Sequence, residues 1–184
     1  MSENEKHDYK TQQITCPACL DDNATALTHI LDIPYYDDFI LVNMNCNKCG
    51  YKATDFYNSR SKGHTIHEYS VTDISDDSTK IVRSQEATVK IPEIETEIEP
   101  IGTGSSWIRN IEGLLEDIHE KLKVMLRDFD NKNTIRSVEK RIKKLKQLMR
   151  YEIPFRIIVD DPSGNSLILP ADKSKLKISV EEQL

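Results

Sequence analysis

Hydrophobic residues recur along this chain with two different periods, and the change of period divides it into regions. Between residues 26 and 45 the apolar runs "ALTHILDI" and "FILVNMN" are joined by "PYYDD", which is typical of a β-hairpin. Residues 57 to 100 continue with short alternating runs such as "GHTIHEYSVTDI" and "ATVKI", which predict further strands. The first half of the chain is therefore predicted to be rich in β-structure.

Beyond residue 105 the apolar residues recur at spacings of three and four, as on one face of an α-helix. The two series comprise Ile108, Ile111, Leu115, Ile118, Leu122, Met125 and Phe129, then Ile135, Val138, Ile142, Leu145 and Met149. The polar segment "DNKNT" lies between them and predicts a turn. We therefore expect a helical hairpin at about residues 105–150, with Ser105 and Ser106 as N-caps and a first helix of about 24 residues.

Composition narrows the functional classes. The chain has 184 residues, a formal net charge of -6 and a pI near 5.4, which fits a soluble protein of one or two domains and argues against indiscriminate binding to nucleic acid. The longest apolar runs are far shorter than a membrane-spanning helix, and "MSENEKHDYKTQQ" lacks the apolar core of a signal peptide. We therefore expect a cytoplasmic protein without a membrane partner.

The four cysteines form two pairs with a C-x2-C spacing, separated by 26 residues. Two such turns can supply the four sulfur ligands of a tetrahedral zinc site, and the predicted ligands are Cys16, Cys19, Cys46 and Cys49. Gly50 suits the second turn because glycine adopts positive φ without steric cost. The residues alone leave a one-iron site and two disulfides as alternatives, although a reducing cytosol disfavours disulfides.

The predicted second helix is strongly basic, with seven Lys or Arg against Glu139 alone between Thr134 and Arg150. Arg136, Lys140 and Lys144 are candidate contacts for an acidic protein or for RNA. The alternative is a solvated face balanced by the acidic β-region from Glu68 to Pro100. No aromatic residues alternate with these lysines, which weakens the case for single-stranded nucleic acid.

Catalytic motifs are scarce in the sequence. "GTGSS" lacks the lysine of a phosphate-binding loop and is interpreted as a loop with an N-cap. "VDDPSGNS", which contains Asp160 and Asp161, offers paired carboxylates, yet D-P-S-G is also a favourable turn between two strands. His64 and His67 would lie on opposite faces of a strand, which disfavours a second metal site. The residues favour a protein that is not an enzyme and has no small-molecule substrate.

Several segments, taken in order, resemble the ZPR-type zinc-finger family. They are "CPAC", "IPYYDDFILVNMNCNKCGY", "ATVKIPEIETEIEP", "IEGLLEDI" and "PFRIIVDDPSGNS". The resemblance implies a mostly β fold with an α insertion: a zinc ribbon at residues 14–56, then at 57–170 a distorted double-stranded β-helix, jelly-roll-like, that carries the hairpin. Residues 1–13 and 171–184 are interpreted as polar tails.

The resemblance also implies a function. Members of the family are zinc-binding, non-enzymatic proteins that bind translation elongation factor 1-alpha and assist its folding and supply. Pro34 and Tyr35 match the family's I-P-[FY]-[FY] stretch, and Asp160, Asp161, Gly164 and Asn165 match its D-D-P-x-G-N signature, so these are candidate partner contacts. Eukaryotic members resemble two tandem copies of finger plus domain, whereas this chain shows one copy, as archaeal members do. The alternative is a nucleic-acid-binding zinc ribbon acting in transcription or on the ribosome.

Overall fold

A computed structural model describes residues 9–31, 39–58, 63–100 and 106–181. The N-terminal unit is an antiparallel sheet of four strands in chain order: β1 (Tyr9–Ile14), β2 (Ala24–Leu31), β3 (Phe39–Cys46) and β4 (Lys52–Asn58). Cys46 pairs with Ala24, and Phe39 pairs with Leu31 seven residues away along the strands. The two cysteine turns therefore lie at one end of this finger sheet and Phe39 lies at the other.

The described residues of the second unit form eight strands and two α-helices. Its strands are β5 (His64–Val71), β6 (Lys80–Arg83), β7 (Thr88–Ile91), β8 (Thr96–Ile98), β9 (Trp107–Asn110), β10 (Phe155–Asp161), β11 (Leu167–Leu169) and β12 (Leu176–Glu181). They form a five-stranded sheet ordered β12-β5-β10-β7-β8 and a three-stranded sheet ordered β11-β6-β9. This two-sheet architecture confirms the predicted jelly-roll-like domain.

The core of this domain lies between its sheets and the helices. Alternate residues of β5 face inward, so Thr65, His67, Tyr69 and Val71 are buried while the intervening residues are half-exposed. Ile81 of β6 and Ile157 of β10 belong to the same buried cluster, which joins the two sheets. Each fully buried aliphatic side chain contributes about 1.5–3 kcal/mol to folding, so this cluster is the main source of stability.

The helical hairpin packs on that core. Helix α1 (Ile111–Asp128) buries a stripe at spacings of three and four: Ile111, Leu114, Leu115, Ile118 and Leu122. Helix α2 (Lys132–Met149) buries Val138, Leu145 and Leu148 against the same cluster. The predicted pair of amphipathic helices is thus present, and α2 begins two residues earlier than the pattern indicated.

The first helix is shorter than predicted. It has 18 residues, because Trp107–Asn110 instead forms strand β9 and pairs with β6. Asn110 is the N-cap, since its Oδ1 accepts a hydrogen bond from the Gly113 amide at 3.1 Å. Ser106 is therefore not a cap, and its hydroxyl donates to Asp55 at 2.6 Å. Ser105 lies outside the described residues.

The polar tails predicted from sequence need correction. Residues from Tyr9 onward form strand β1, which pairs with β2, so the finger sheet extends from Tyr9 to Asn58. At the other end of the chain, Leu176–Glu181 forms β12 and pairs with residues 64–69 of β5. Both segments are mostly exposed edge strands, so their ladder hydrogen bonds rather than apolar burial hold them in place.

An internal ion pair fixes the C-terminal segment to the domain. The Lys175 ammonium donates to both carboxylate oxygens of Asp76 at 2.9 Å, and Asp76 is fully buried. The same carboxylate accepts from the Tyr69 hydroxyl at 2.7 Å and from the Thr72 amide at 2.8 Å. Burial raises the pKa of Asp76, but the donors from Thr72, Lys175 and Tyr69 outweigh it and lower this pKa to about 2.

This ion pair predicts a pH dependence of stability. A carboxyl whose pKa falls on folding stabilises the protein above its unfolded-state pKa near 3.8, and this contribution disappears as the pH falls toward 2. Its size is about 2 kcal/mol. We expect Asp76→Asn to lower the free energy of unfolding at pH 7 by at least this amount and to flatten its slope between pH 4 and about 2. Urea denaturation across this range measures both effects.

Glu120→Gln is the control for this prediction. Glu120 forms an exposed ion pair with Lys123 on α1, so Glu120→Gln should change the free energy of unfolding far less than Asp76→Asn does. If Asp76→Asn and the wild type lose stability in parallel below pH 4, the buried carboxylate is not the group responsible.

Candidate metal centre

Two matching turns at one end of the finger sheet carry the cysteines. The first turn joins β1 to β2, and the Leu20 amide donates to the Cys16 carbonyl at 2.9 Å. The second joins β3 to β4, and the Gly50 amide donates to the Cys46 carbonyl at 3.0 Å. Because the strands are antiparallel neighbours, both turns project from the same end of the sheet. The predicted pairing of two C-x2-C turns around one point is therefore present.

The four sulfur atoms have the geometry of a tetrahedral site. All four Sγ atoms lie within 4.8 Å of one another, and two pairs, Cys16–Cys49 and Cys19–Cys46, are separated by 3.7 Å. A tetrahedron with zinc–sulfur bonds of about 2.3 Å has edges of about 3.8 Å. A disulfide would need a sulfur separation of about 2.05 Å, so these cysteines are free thiols. The residues fit one zinc ion.

The backbone around the first turn favours the thiolate, the ligating form, of Cys16. Burial opposes ionisation of Cys16, but hydrogen bonds from the backbone N–H groups of Cys19 and Ala18 lower the pKa of this thiol to about 7. The thiolate is the form that binds metal. Gly50 adopts a φ of +75°, which confirms the left-handed conformation expected at the end of the second turn.

A zinc ion held by four cysteines has no open coordination position. When bound, the ion joins the two turns and organises the small cluster around Cys16, Ala24 and Cys46, whose neighbours are only partly buried. The chain's own residues contribute the two rigid turns and the N–H groups that stabilise the thiolates. The site is therefore suited to folding rather than to catalysis.

The basic residues of α2 lie where a partner can reach them. Arg136, Lys140 and Lys144 are exposed. Among the described residues, six of the eight basic side chains that α2 and its C-cap provide have no carboxylate within 4 Å; the exceptions are Arg141 with Glu95 at 3.9 Å and Arg150 with Glu152 at 3.6 Å. Within the described residues, the acidic β-region therefore forms an ion pair with one residue of the basic helix, Arg141.

The two aspartates of the D-D-P-x-G-N signature have different environments. Asp160 is partly exposed, and it binds His64 at 2.7 Å and Lys90 at 2.9 Å. Burial raises the pKa of Asp160, but these two partners outweigh that effect and lower it. Asp161 is fully buried, so its side chain is not available for the partner contact proposed from sequence. That expectation is corrected: Asp161 organises the turn that follows β10.

The Asp161 carboxylate organises the turn after β10 through four hydrogen bonds. It accepts from the Ser163 amide and hydroxyl at 2.8 and 2.7 Å, from the Ser166 amide at 2.6 Å and from the Ser84 hydroxyl at 2.9 Å. Burial raises the pKa of Asp161, but these donors outweigh it and hold the pKa below its ordinary value. Gly164 completes the turn, because an added Cβ would lie 2.3 Å from the Gly63 carbonyl oxygen.

The other candidate residues from the sequence occupy different environments. Asn165 is half-buried and donates to the Ser163 hydroxyl at 3.2 Å within the same turn. His64 is half-exposed and His67 buried, which confirms that they occupy opposite faces of β5. Pro34 and Tyr35 lie outside the described residues, so their role as partner contacts stays a prediction.

Sequence reasoning missed one polar centre, at Asp55 on β4. Its carboxylate accepts from Ser106 at 2.6 Å, Tyr57 at 2.7 Å and Gln85 at 2.8 Å. The partners come from three separate segments of the chain, so no local pattern could have identified them.

Among the described residues, no helix is both long enough and apolar enough to cross a membrane.

A zinc finger of four cysteines followed by a jelly-roll domain with a helical insertion defines the class of this protein. The ZPR1 zinc-finger domain matches residues 10–60 and the ZPR1 jelly-roll domain matches residues 75–183. The chain therefore belongs to the ZPR1 zinc-finger family.

Relatives from archaea and eukaryotes agree with this assignment. An uncharacterised ZPR1-like protein of Pyrococcus horikoshii is 27% identical over 172 residues, covering 91% of this chain and 77% of the relative. Zinc finger protein ZPR1 of Homo sapiens is 29% identical over 177 residues, covering 89% of this chain and 37% of the relative. The zinc finger chaperone zpr1 of Schizosaccharomyces pombe is 32% identical over 151 residues, covering 79% of this chain and 32% of the relative.

Proposed function

We propose that this protein binds translation elongation factor 1-alpha in the cytoplasm and assists its folding or modulates its availability, without catalysing a reaction. The observation that carries the proposal is structural: the zinc finger and the basic hairpin are held by buried contacts on one body. Such a body can present two separate surfaces to a folded or folding partner at a fixed distance, which reduces the entropic cost of binding.

The contacts that hold the finger are both apolar and polar. Phe39 and Phe56 of the finger form one buried cluster with Val82 and Leu167 of the jelly-roll domain. Beside it, Asp55 is nearly buried and connects β4 to Ser106 and Gln85 of the jelly-roll domain through hydrogen bonds. Buried hydrogen bonds to a carboxylate are directional, so they fix the orientation of the finger as well as its position.

The relatives support the chaperone part of the proposal. A relative from Schizosaccharomyces pombe is named a zinc finger chaperone. The match covers 79% of the present chain and 32% of that relative. Elongation factor 1-alpha enters through the family resemblance of the sequence motifs. The zinc site supports a structural role for the metal, because four protein ligands leave no position for a water nucleophile.

The paired carboxylates also favour a protein that is not an enzyme. Asp161 is enclosed by four hydrogen bonds, and Asp160 is engaged by His64 and Lys90, so the two carboxylates do not face a common cavity as an acid–base pair would. An activity that is lost in Asp160→Asn, with folding intact, would argue for an enzyme instead.

The exposed basic face of α2 suits an acidic surface on the partner. Charges placed in this way accelerate association more than they lengthen the lifetime of a complex. We expect Lys140→Glu/Lys144→Glu to lower the association rate with elongation factor 1-alpha about tenfold at low salt, with a smaller difference at about 500 mM salt. Stopped-flow mixing at two salt concentrations measures this, and thermal unfolding should be nearly unchanged because both side chains are exposed.

The matched control is Lys80→Glu/Lys177→Glu, which changes the net charge equally at exposed residues of the jelly-roll sheets. Equal effects of the two double variants would show that overall charge rather than the basic helix matters.

A nucleic-acid-binding function is the second candidate, and the exposed basic face of α2 is the observation that favours it. Against it, residues 9–58 of the finger region contain six Asp and three Lys, which repels phosphate. If α2 binds RNA, the affinity for RNA should fall steeply with salt and be lost in Lys140→Glu/Lys144→Glu, while no saturable binding to the factor is seen.

A further inference from the structure

The two cysteine turns are structural repeats that differ at one instructive position. The residue after the second cysteine of each turn has a left-handed backbone, with φ of 58° at Leu20 and 75° at Gly50. In both turns this residue donates its amide to the carbonyl of the first cysteine. The backbone requirement is therefore the same, yet one turn carries glycine and the other carries leucine.

Leucine is an unfavourable choice here for two independent reasons. Its Cβ makes the left-handed conformation sterically costly, whereas glycine adopts it freely. Its side chain is also 78% exposed, the largest fraction among the exposed large hydrophobic side chains of the described residues. Nothing in the described part of the finger packs on Leu20 to offset either cost, so folding alone does not account for it.

The surroundings of Leu20 indicate what kind of partner it fits. It lies at the zinc end of the finger, whereas the contacts with the jelly-roll domain are made at Phe39 and Phe56. Its neighbour Asp21 forms an ion pair with Lys48 of the second turn, which leaves Asp22 as an acidic flank. An acidic flank repels phosphate, and one leucine is too little apolar surface to hold a protein on a membrane. The remaining kind of binding site for Leu20 is an apolar pocket on the surface of another protein.

We propose that Leu20 is an anchor that inserts into an apolar pocket of the protein partner. The inference rests on the proposed function, which makes that partner elongation factor 1-alpha. A handful of side chains packed in desolvated pockets near the centre of an interface carry most of the binding energy of many complexes. The bound zinc ion fixes the turn, so it also fixes the direction in which Leu20 projects.

Three variants test the role of Leu20 by calorimetric titration of the zinc-loaded protein against elongation factor 1-alpha. Leu20→Gly removes the side chain and the backbone strain together, and we expect affinity at least about tenfold weaker with a Tm no lower than wild type. Leu20→Met keeps an apolar side chain of similar volume, and we expect affinity within about threefold of wild type. Ile74→Ala is the control, because it removes a similarly exposed aliphatic side chain (73% exposed) from the jelly-roll domain, away from the zinc end of the finger.

The results separate this inference from the proposed function. Weakened binding of Leu20→Gly combined with unchanged or raised Tm supports the anchor, because a merely structural residue would lose stability and binding together. Equal affinities of wild type and Leu20→Gly overturn the anchor while the proposed function stands. If the wild type itself does not bind the factor, both are overturned.

Discussion

Removal of zinc from this protein is expected to unfold the finger while the jelly-roll domain stays folded. The apolar cluster around the metal site is small, with Ile14, Cys19 and Tyr51 only partly buried, so it cannot hold the two turns together by itself. A structural zinc site contributes on the order of 10 kcal/mol of apparent binding free energy. After chelation, amide hydrogen exchange should accelerate strongly in residues 9–31, whereas helix α1 should keep its protection because its buried stripe belongs to a separate core.

A ligand variant tests the same expectation without a chelator. Cys46→Ser should bind less than one equivalent of zinc and show the same exchange pattern as the metal-free protein, because the buried Cys46 has no substitute among the described residues near the site. Asn47→Ser, in the same turn, should keep one equivalent of zinc and wild-type exchange. Unchanged protection of the finger after complete zinc removal would show that the metal is not what holds it.

Loss of the Asp161 carboxylate is expected to destabilise the jelly-roll domain by about 3–5 kcal/mol. Asp161→Ala would leave the Ser166 amide and the Ser84 hydroxyl without their acceptor in a buried environment. It would also deprive the nearly buried Arg83 guanidinium of a nearby negative charge. Burial lowers the pKa of Arg83, and the Asp161 carboxylate counteracts this effect. Chemical denaturation at pH 7 measures the free energy of unfolding directly.

The neighbouring aspartate provides the control for this experiment. Asp160 is partly exposed, so Asp160→Asn should cost no more than about 1 kcal/mol although it loses His64 and Lys90 as charged partners. If Asp161→Ala unfolds within about 1 kcal/mol of the wild type, the D-D-P-x-G-N turn is not a folding element.

Features with a local signal could be predicted from the sequence. The two C-x2-C pairs fixed all four candidate ligands, because ligand spacing is a property of the turn itself. The helices were predictable because every buried residue of α1 recurs at a spacing of three or four. The alternation in "HTIHEYSV" likewise placed His64 and His67 on opposite faces of β5.

Features that depend on distant partners could not be predicted in this way. Strand β1, "YKTQQI", is an almost fully exposed edge, so its sequence lacks the apolar alternation that marks a half-buried strand. The series of apolar spacings ran through Ile108, yet β9 forms there because β6 offers a pairing edge. Asp55 and Asp161 each gather donors from segments that are far apart along the chain, and only the folded structure brings these together.

The two candidate binding surfaces, the basic helix α2 and the turn at Leu20, could be predicted only in part from the sequence. The basic character of α2 is evident in the sequence, but only the fold shows that, among the described residues, Arg141 is the one α2 residue with an ion pair to the acidic β-region. The exposure and left-handed backbone of Leu20 are likewise structural facts, although comparison of "CPACL" with "CNKCG" already shows the substitution of glycine by leucine between the two turns.

We propose that the zinc-loaded protein recognises elongation factor 1-alpha through a preformed surface. The most direct test is a calorimetric titration of the zinc-loaded and metal-free protein against the purified factor, with RNA titrated in parallel at about 50 and 500 mM salt. We expect saturable binding of the factor by the zinc-loaded protein and loss of that binding without zinc. Absence of binding to the factor, together with salt-sensitive binding to RNA, would contradict it.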